Sequence, residues 1–130
     1  MKTILVFGNE LVREDSLAKE ISREIRMPGV RFVQCLSPEE ILNYKDDTIC
    51  ILDVVKGIDK VEVIDDLEIL KSRKLCSAHD LDLSFFLKIM KKHGMLRSKV
   101  RIIGVPMDGD RAKTKKQLTD FLKKDLLDEN

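Results

Sequence analysis

The run Thr48 to Val55, TICILDVV, constrains the fold of this chain more than any other stretch. Apart from Thr48 and Asp53 every residue in it is apolar, and most are β-branched. The run is too short for a free-standing helix and does not alternate as a half-exposed strand would. It reads as a strand buried on both faces, which is the situation of a central strand in a parallel sheet covered by helices. Asp53 sits near its end. A carboxylate inside such a strand costs several kcal/mol unless it is paired or placed at the strand's mouth, so Asp53 is the first candidate functional residue.

The remaining chain supplies partners of both kinds. Ile4, Leu5, Val6 and Phe7 form a second short apolar run, and Gly8 follows as a turn residue. Leu17, Ala18, Ile21 and Ile25 then repeat at helical spacing. Pro28-Gly29 breaks the chain before Val30 to Cys35, which alternates as a strand. Ser37-Pro38-Glu39-Glu40 opens a short helix to about Asn43, with a capping residue, an early Pro and acids in the first turn. Val61 to Leu70 fits a strand with an acidic turn as well as a strand followed by a helical turn. Ser77 and Asp80 suggest a capping-box variant, and Leu81, Phe85, Phe86, Ile89 and Met90 mark the apolar stripe of a helix stopped at His93-Gly94. Lys99 to Val105 is a further strand. A last helix from about Asp110 is expected to bury Leu118, Phe121, Leu122 and Leu126. Strands alternating with helices give an α/β fold: one three-layer domain spanning 1–130, with a mostly parallel twisted sheet of about five strands between helices.

The chain has 130 residues, enough for one ordinary core, and its 24 basic and 23 acidic side chains leave a net charge of +1. That balance gives no electrostatic case for binding nucleic acid or an anionic membrane. No apolar run is long enough to span a bilayer and the start lacks the features of a cleavable signal, so a cytoplasmic protein is expected; a monomer is expected as well. The three cysteines, Cys35, Cys50 and Cys76, are odd in number and widely spaced. They indicate neither a disulfide framework nor a zinc ribbon, and read as buried thiols near strand ends.

In an open α/β sheet, ligands gather at the carboxyl ends of the strands. Asp15 follows the first strand, Asp53 ends the central one and His79 enters a later helix, which places all three on that edge. Two carboxylates and an imidazole form a suitable shell for a borderline divalent ion such as nickel, zinc or manganese. Each also has a structural reading. Asp15 or Glu14 can serve the free N–H groups and dipole of a helix start, and His79 can hydrogen-bond locally. His93, beside Gly94 at a helix end, is assigned to structure.

GNELVRED near the start, LDVVKG in the middle, SAHDLDL and IIGVP resemble, in order and separation over nearly the whole chain, the spaced motifs of the hydrogenase maturation endopeptidases. That family opens on G-x-G-N-x-L-x-x-D-[DE]-G, continues with an apolar strand ending in Asp and an S-x-H before a helix, and closes with a strand reading like IIGI. The resemblance implies a twisted sheet between helices and a protease that removes the C-terminal peptide from a nickel-iron hydrogenase large-subunit precursor once nickel is inserted. It assigns Asp15, Asp53 and His79 as the catalytic, metal-contacting groups, acting on nickel held by the precursor, with zinc or cadmium able to occupy the site of the isolated protein. Val6 stands in place of the first motif's initial Gly, Ser16 in place of its final one, and Cys35-Leu36-Ser37-Pro38 in place of a Gly-rich loop. Two other readings stay open: a non-catalytic nickel carrier or scaffold, and a receiver-like regulatory domain with Asp53 as phosphoacceptor.

Overall fold

A computed structural model of the chain describes residues 2–8, 16–65 and 78–128, the side chains of 78–82, 84 and 128 excepted. Strand β1 is Lys2–Val6, helix α1 Leu17–Glu24, β2 Val30–Gln34, β3 Thr48–Val55, β4 Glu62–Ile64, α2 Ala78–Lys92, β5 Lys99–Pro106 and α3 Arg111–Asp128. The expected short helix is a 3-10 helix at Pro38–Asn43, and its capping box joins Ser37 to Glu40. The five strands lie in the order β2-β1-β3-β5-β4. The first four pair in parallel and β4 runs antiparallel to β5 at the edge. The α/β reading with a mostly parallel sheet of five strands therefore holds. Val61 to Leu70 resolves in its first half as the short strand β4, and its second half lies outside the described residues.

The run at Thr48–Val55 occupies the middle of the sheet, and every residue after Thr48 is buried. Alternation along it divides the core into two layers. Ile49, Ile51 and Val55 join Phe7, Leu83, Leu87 and Ile102 on one face. Cys50, Leu52 and Val54 join Ala18, Ile21, Leu118 and Leu122 on the other. Helix α2 covers the first face, and α1 with α3 cover the second.

The stripe expected on α2 holds at Met90 and fails at Phe85, while the side chain of Leu81 lies outside the described residues. Leu83 and Leu87 are fully buried, whereas Phe85 is 64% exposed. At 100° per residue, Phe85 lies on the opposite side of the helix from Leu83 and Leu87. Met90, packed against the same core as Leu83 and Leu87, completes the true row. The helix stop is where His93-Gly94 indicated. Gly94 takes φ 71°, open to glycine at no cost, and the amides of Met95 and Leu96 return to the carbonyl of Met90.

Helix α3 is tied to the sheet by charge as well as by Leu118 and Leu122. The Asp125 carboxylate faces the Lys2 ammonium, and its other oxygen accepts from Arg101 at 3.1 Å. Arg101 also lies over the Phe121 ring, 6.0 Å from its centroid. Burial pushes the Asp125 carboxyl upward, but the Lys2 and Arg101 hydrogen bonds outweigh it and hold the group below its ordinary value. Among the described residues no helix is long and apolar enough to cross a membrane.

Candidate functional site

Asp53 is the sixth residue of β3 and is 4% exposed. By alternation its side chain shares the face of Ile51 and Val55, beneath α2. One carboxylate oxygen accepts the backbone N–H of Val54 at 2.9 Å. On one side Phe7 continues β1, its amide donating to the carbonyl of Leu52 at 2.9 Å. On the other side Gly104 of β5 is level with Asp53. Gly104 adds no side chain to the row beside Asp53. A Cβ at Gly104 would stand 2.9 Å from Val55 Cγ2 and 3.3 Å from Ile58 Cδ1. Val55 is stiff at χ1 and fully buried, so it cannot swing aside cheaply. Gly104→Ala is therefore expected to lower stability by about 1–3 kcal/mol, the usual cost of overpacking. Urea unfolding of the variant against the parent checks this; an unchanged midpoint would mean that Val55 and Ile58 give way more easily than these contacts indicate.

Helix α2 brings its first turn toward the same end of the sheet. Its last turn lies at the amino edge, where Lys91 Nζ donates to the Ser98 carbonyl at 3.2 Å and the Lys99 amide donates to Asp47 at 2.8 Å. Its 15 residues span about 22 Å, nearly the length of the eight-residue β3 beneath them. The helix thus runs back along the face that Asp53 shares. His79 is its second residue, and its side chain lies outside the described residues. Asp15 also lies outside them, between Gly8 at the end of β1 and Ser16 before α1. Gly8 takes φ 141°, a conformation that L side chains rarely adopt, as the chain leaves β1.

The segment after β2 is shaped by two residues that the sequence reading did not single out as partners. Lys19 of α1 is 2% exposed, and its ammonium donates to the carbonyl of Cys35 at 3.1 Å. Glu40 receives the amides of Leu36 and Ser37. The turn is thus pinned from both ends, leaving Leu36 84% exposed at the carboxyl edge. The sequence carries no signal for Lys19, which at 100° per residue lies nearly opposite Ile21 on α1. Cys35 and Cys50 are buried, as expected of structural thiols, though Cys50 lies within β3 and not at its end; Cys76 is outside the described residues. Burial, with Glu40 nearby, pushes the Cys35 thiol up to about 11, so it is no thiolate nucleophile at neutral pH.

A family model for HycI, hydrogenase maturation protease, matches residues 38–126. The matched stretch contains Asp53 and His79 and begins after Asp15. Among solved structures the chain is similar to the [NiFe] hydrogenase maturation protease HybD from Thermococcus kodakarensis, with 19% identity, a TM-score of 0.69, and 95% of this chain and 98% of that one covered. It is also similar to the hydrogenase maturating endopeptidase HybD from E. coli, with 20% identity, a TM-score of 0.57, and coverage of 82% and 74%. A third similar structure is the [NiFe] hydrogenase maturation protease HycI from Thermococcus kodakarensis KOD1, at 17% identity, a TM-score of 0.53, and coverage of 93% and 89%. No curated protein matches the sequence.

Proposed function

The chain belongs to the hydrogenase maturation protease family, and from that premise we propose that it is an endopeptidase that trims the C-terminal peptide from a nickel-iron hydrogenase large-subunit precursor after nickel insertion. Membership in a family of peptidases displaces the receiver-like alternative. The observation that carries the reading is Asp53: a carboxylate 4% exposed, in the carboxyl half of the central strand, on the face that packs Ile51, Val55, Leu83 and Leu87. The cost of keeping a charge there is offset where it meets a cation.

Asp15, Asp53 and His79 are the proposed ligands. Two carboxylates and an imidazole suit nickel, zinc or cadmium and leave room for a further ligand. In the proposed cycle the three side chains engage nickel already bound by the precursor, so only a loaded precursor is positioned for cleavage. One carboxylate takes a proton from the attacking water, and the peptide bond preceding the C-terminal extension is hydrolysed. The buried thiol of Cys35 has no role in this chemistry. A monomer in the cytoplasm suffices for this reading, and its partner is the precursor itself.

Zinc or cadmium is expected to bind the isolated protein and to bind more weakly as pH falls through the ordinary range of an imidazole, near 6.5, because His79 must be neutral to ligate. Calorimetry on the parent and on His79→Ala checks this. Loss of at least about tenfold in affinity is expected from removing one ligand. Binding that is undiminished in the variant would place the metal elsewhere. The cleavage reading itself is tested by incubating the protein with nickel-loaded and nickel-free precursor and measuring loss of the C-terminal peptide.

A further inference from the structure

Strand β2 is the outer strand of the sheet on the side away from β4. Its pairing with β1 uses alternate residues: the Gly29 carbonyl accepts from Lys2 and the Cys35 amide donates to Val6. The odd-numbered residues therefore turn their peptide groups toward β1, and the even-numbered Phe32 and Gln34 turn theirs outward. No strand among the described residues pairs with that outer side. Beside it, between α1 and β2, lies an open cleft of about 750 Å³. Met27 and Phe32 supply its apolar lining, and Arg23, Arg26 and Arg31, all exposed, supply its charge. No carboxylate is among the described lining residues.

Gln34 adds a polar requirement. Ser22 Oγ donates to the Lys19 carbonyl at 2.9 Å, which spends its proton, so it accepts from Gln34 Nε2 at 2.9 Å. That fixes the orientation of the Gln34 amide. Its Oε1 is buried and has no hydrogen-bond partner among the described residues. An acceptor in this position calls for an N–H donor.

We propose that the β2 edge and the adjoining cleft dock an acidic polypeptide segment in extended conformation, added to the sheet as a further strand. Backbone groups of the segment pair with the outward peptide groups of Phe32 and Gln34, and its carboxylates meet Arg23, Arg26 and Arg31. Charge selects this occupant over a second copy of the chain. Pairing of two β2 edges would bring each basic cleft against another, at a cost in like-charge repulsion. The inference deepens the proposed function, because a segment added outside β2 would be separated from the strand of Asp53 only by β2 and β1. It assigns the partner's charge and backbone conformation, which the cleavage reading leaves open.

The test uses ¹⁵N-labelled full chain and two synthetic dodecapeptides, one alternating Glu with Val and one alternating Gln with Val. The Glu peptide is expected to shift the amide signals of Phe32 and Gln34 and to slow their hydrogen exchange, while Arg31 and Val33, already paired to β1, change little. The Gln peptide should bind at least about tenfold more weakly, and so should the Glu peptide to Arg26→Glu/Arg31→Glu. Asp53→Asn should bind the Glu peptide as the parent does, so a failed cleavage mechanism and a failed docking surface give different results. Absence of binding, equal binding of both peptides, or binding that leaves the Phe32 and Gln34 amides unprotected would each overturn the proposal. If the double Arg variant is misfolded, as its spectrum would reveal at once, the comparison of the two peptides and the exchange pattern on the parent decide the matter alone.

Discussion

Asp53→Asn is expected to leave the protein folded, with stability equal to the parent or higher, while trimming of nickel-loaded precursor falls by at least about a hundredfold, the lower end of what a positioned acid-base group contributes. The two effects separate because the substitution keeps size and the acceptor that serves the Val54 N–H. It deletes the charge and turns the second carboxylate oxygen into an N–H donor. With the residue 4% exposed in an apolar layer, removing that charge also removes a desolvation cost. Thermal unfolding and a gel-based cleavage assay on the same preparation measure both sides. A variant that unfolds would make Asp53 a structural partner in a buried polar network. A stable variant that trims at the parent rate would remove it from the site, and a parent that binds metal but never trims would favour the non-catalytic carrier.

The second large effect concerns stability and lies at the other end of the sheet. Asp125→Ala leaves the Lys2 ammonium and the Arg101 guanidinium facing one another without their shared carboxylate. Breaking a buried pair from one side costs about 3–5 kcal/mol; Arg101 is 27% exposed, so solvent screening reduces this to about 2–3 kcal/mol. The sign of the pH dependence follows from the lowered Asp125 carboxyl. A group whose folded value is depressed stabilises the fold above its unfolded value, near 4, and loses that contribution as pH falls through the folded one. The stability gap between parent and variant should therefore be full at pH 7 and shrink below about pH 4. Urea unfolding at pH 7 and pH 3 measures it. A gap that is the same at both values would mean that Asp125 acts through packing alone.

The sheet was legible because its determinant is concentrated in one place. Thr48–Val55 contains no helical period and one acid, and a strand of that kind belongs in the middle of a covered parallel sheet. The direction of β4 was not legible: its three residues owe their conformation to pairing with β5, not to any pattern of their own. Phe85 falls in the expected stripe of α2 beside Met90 because LDLSFFLKIM is apolar on more than one side. Packing of Leu83 and Leu87 against the sheet chose one of them and left Phe85 outside.

At the candidate site, Asp53 could be found from sequence because a charge within an apolar run is chemically conspicuous. Gly104 could not be found that way, since its importance comes from lying level with Asp53 on a strand about 50 residues later, a relation created by the register of β3 and β5. Lys19 was obscured for a related reason. A lysine near the start of a helix ordinarily faces water, and only the approach of the Cys35 carbonyl makes a buried position tolerable.

In the proposed function, nickel on the precursor licenses cleavage. Incubation of the purified protein with its large-subunit precursor, nickel-loaded in one sample and nickel-free in the other, followed by mass spectrometry of the large subunit, tests it most directly. Loss of the C-terminal peptide from the loaded precursor alone is expected. Equal trimming of both samples, or trimming of neither, would contradict it.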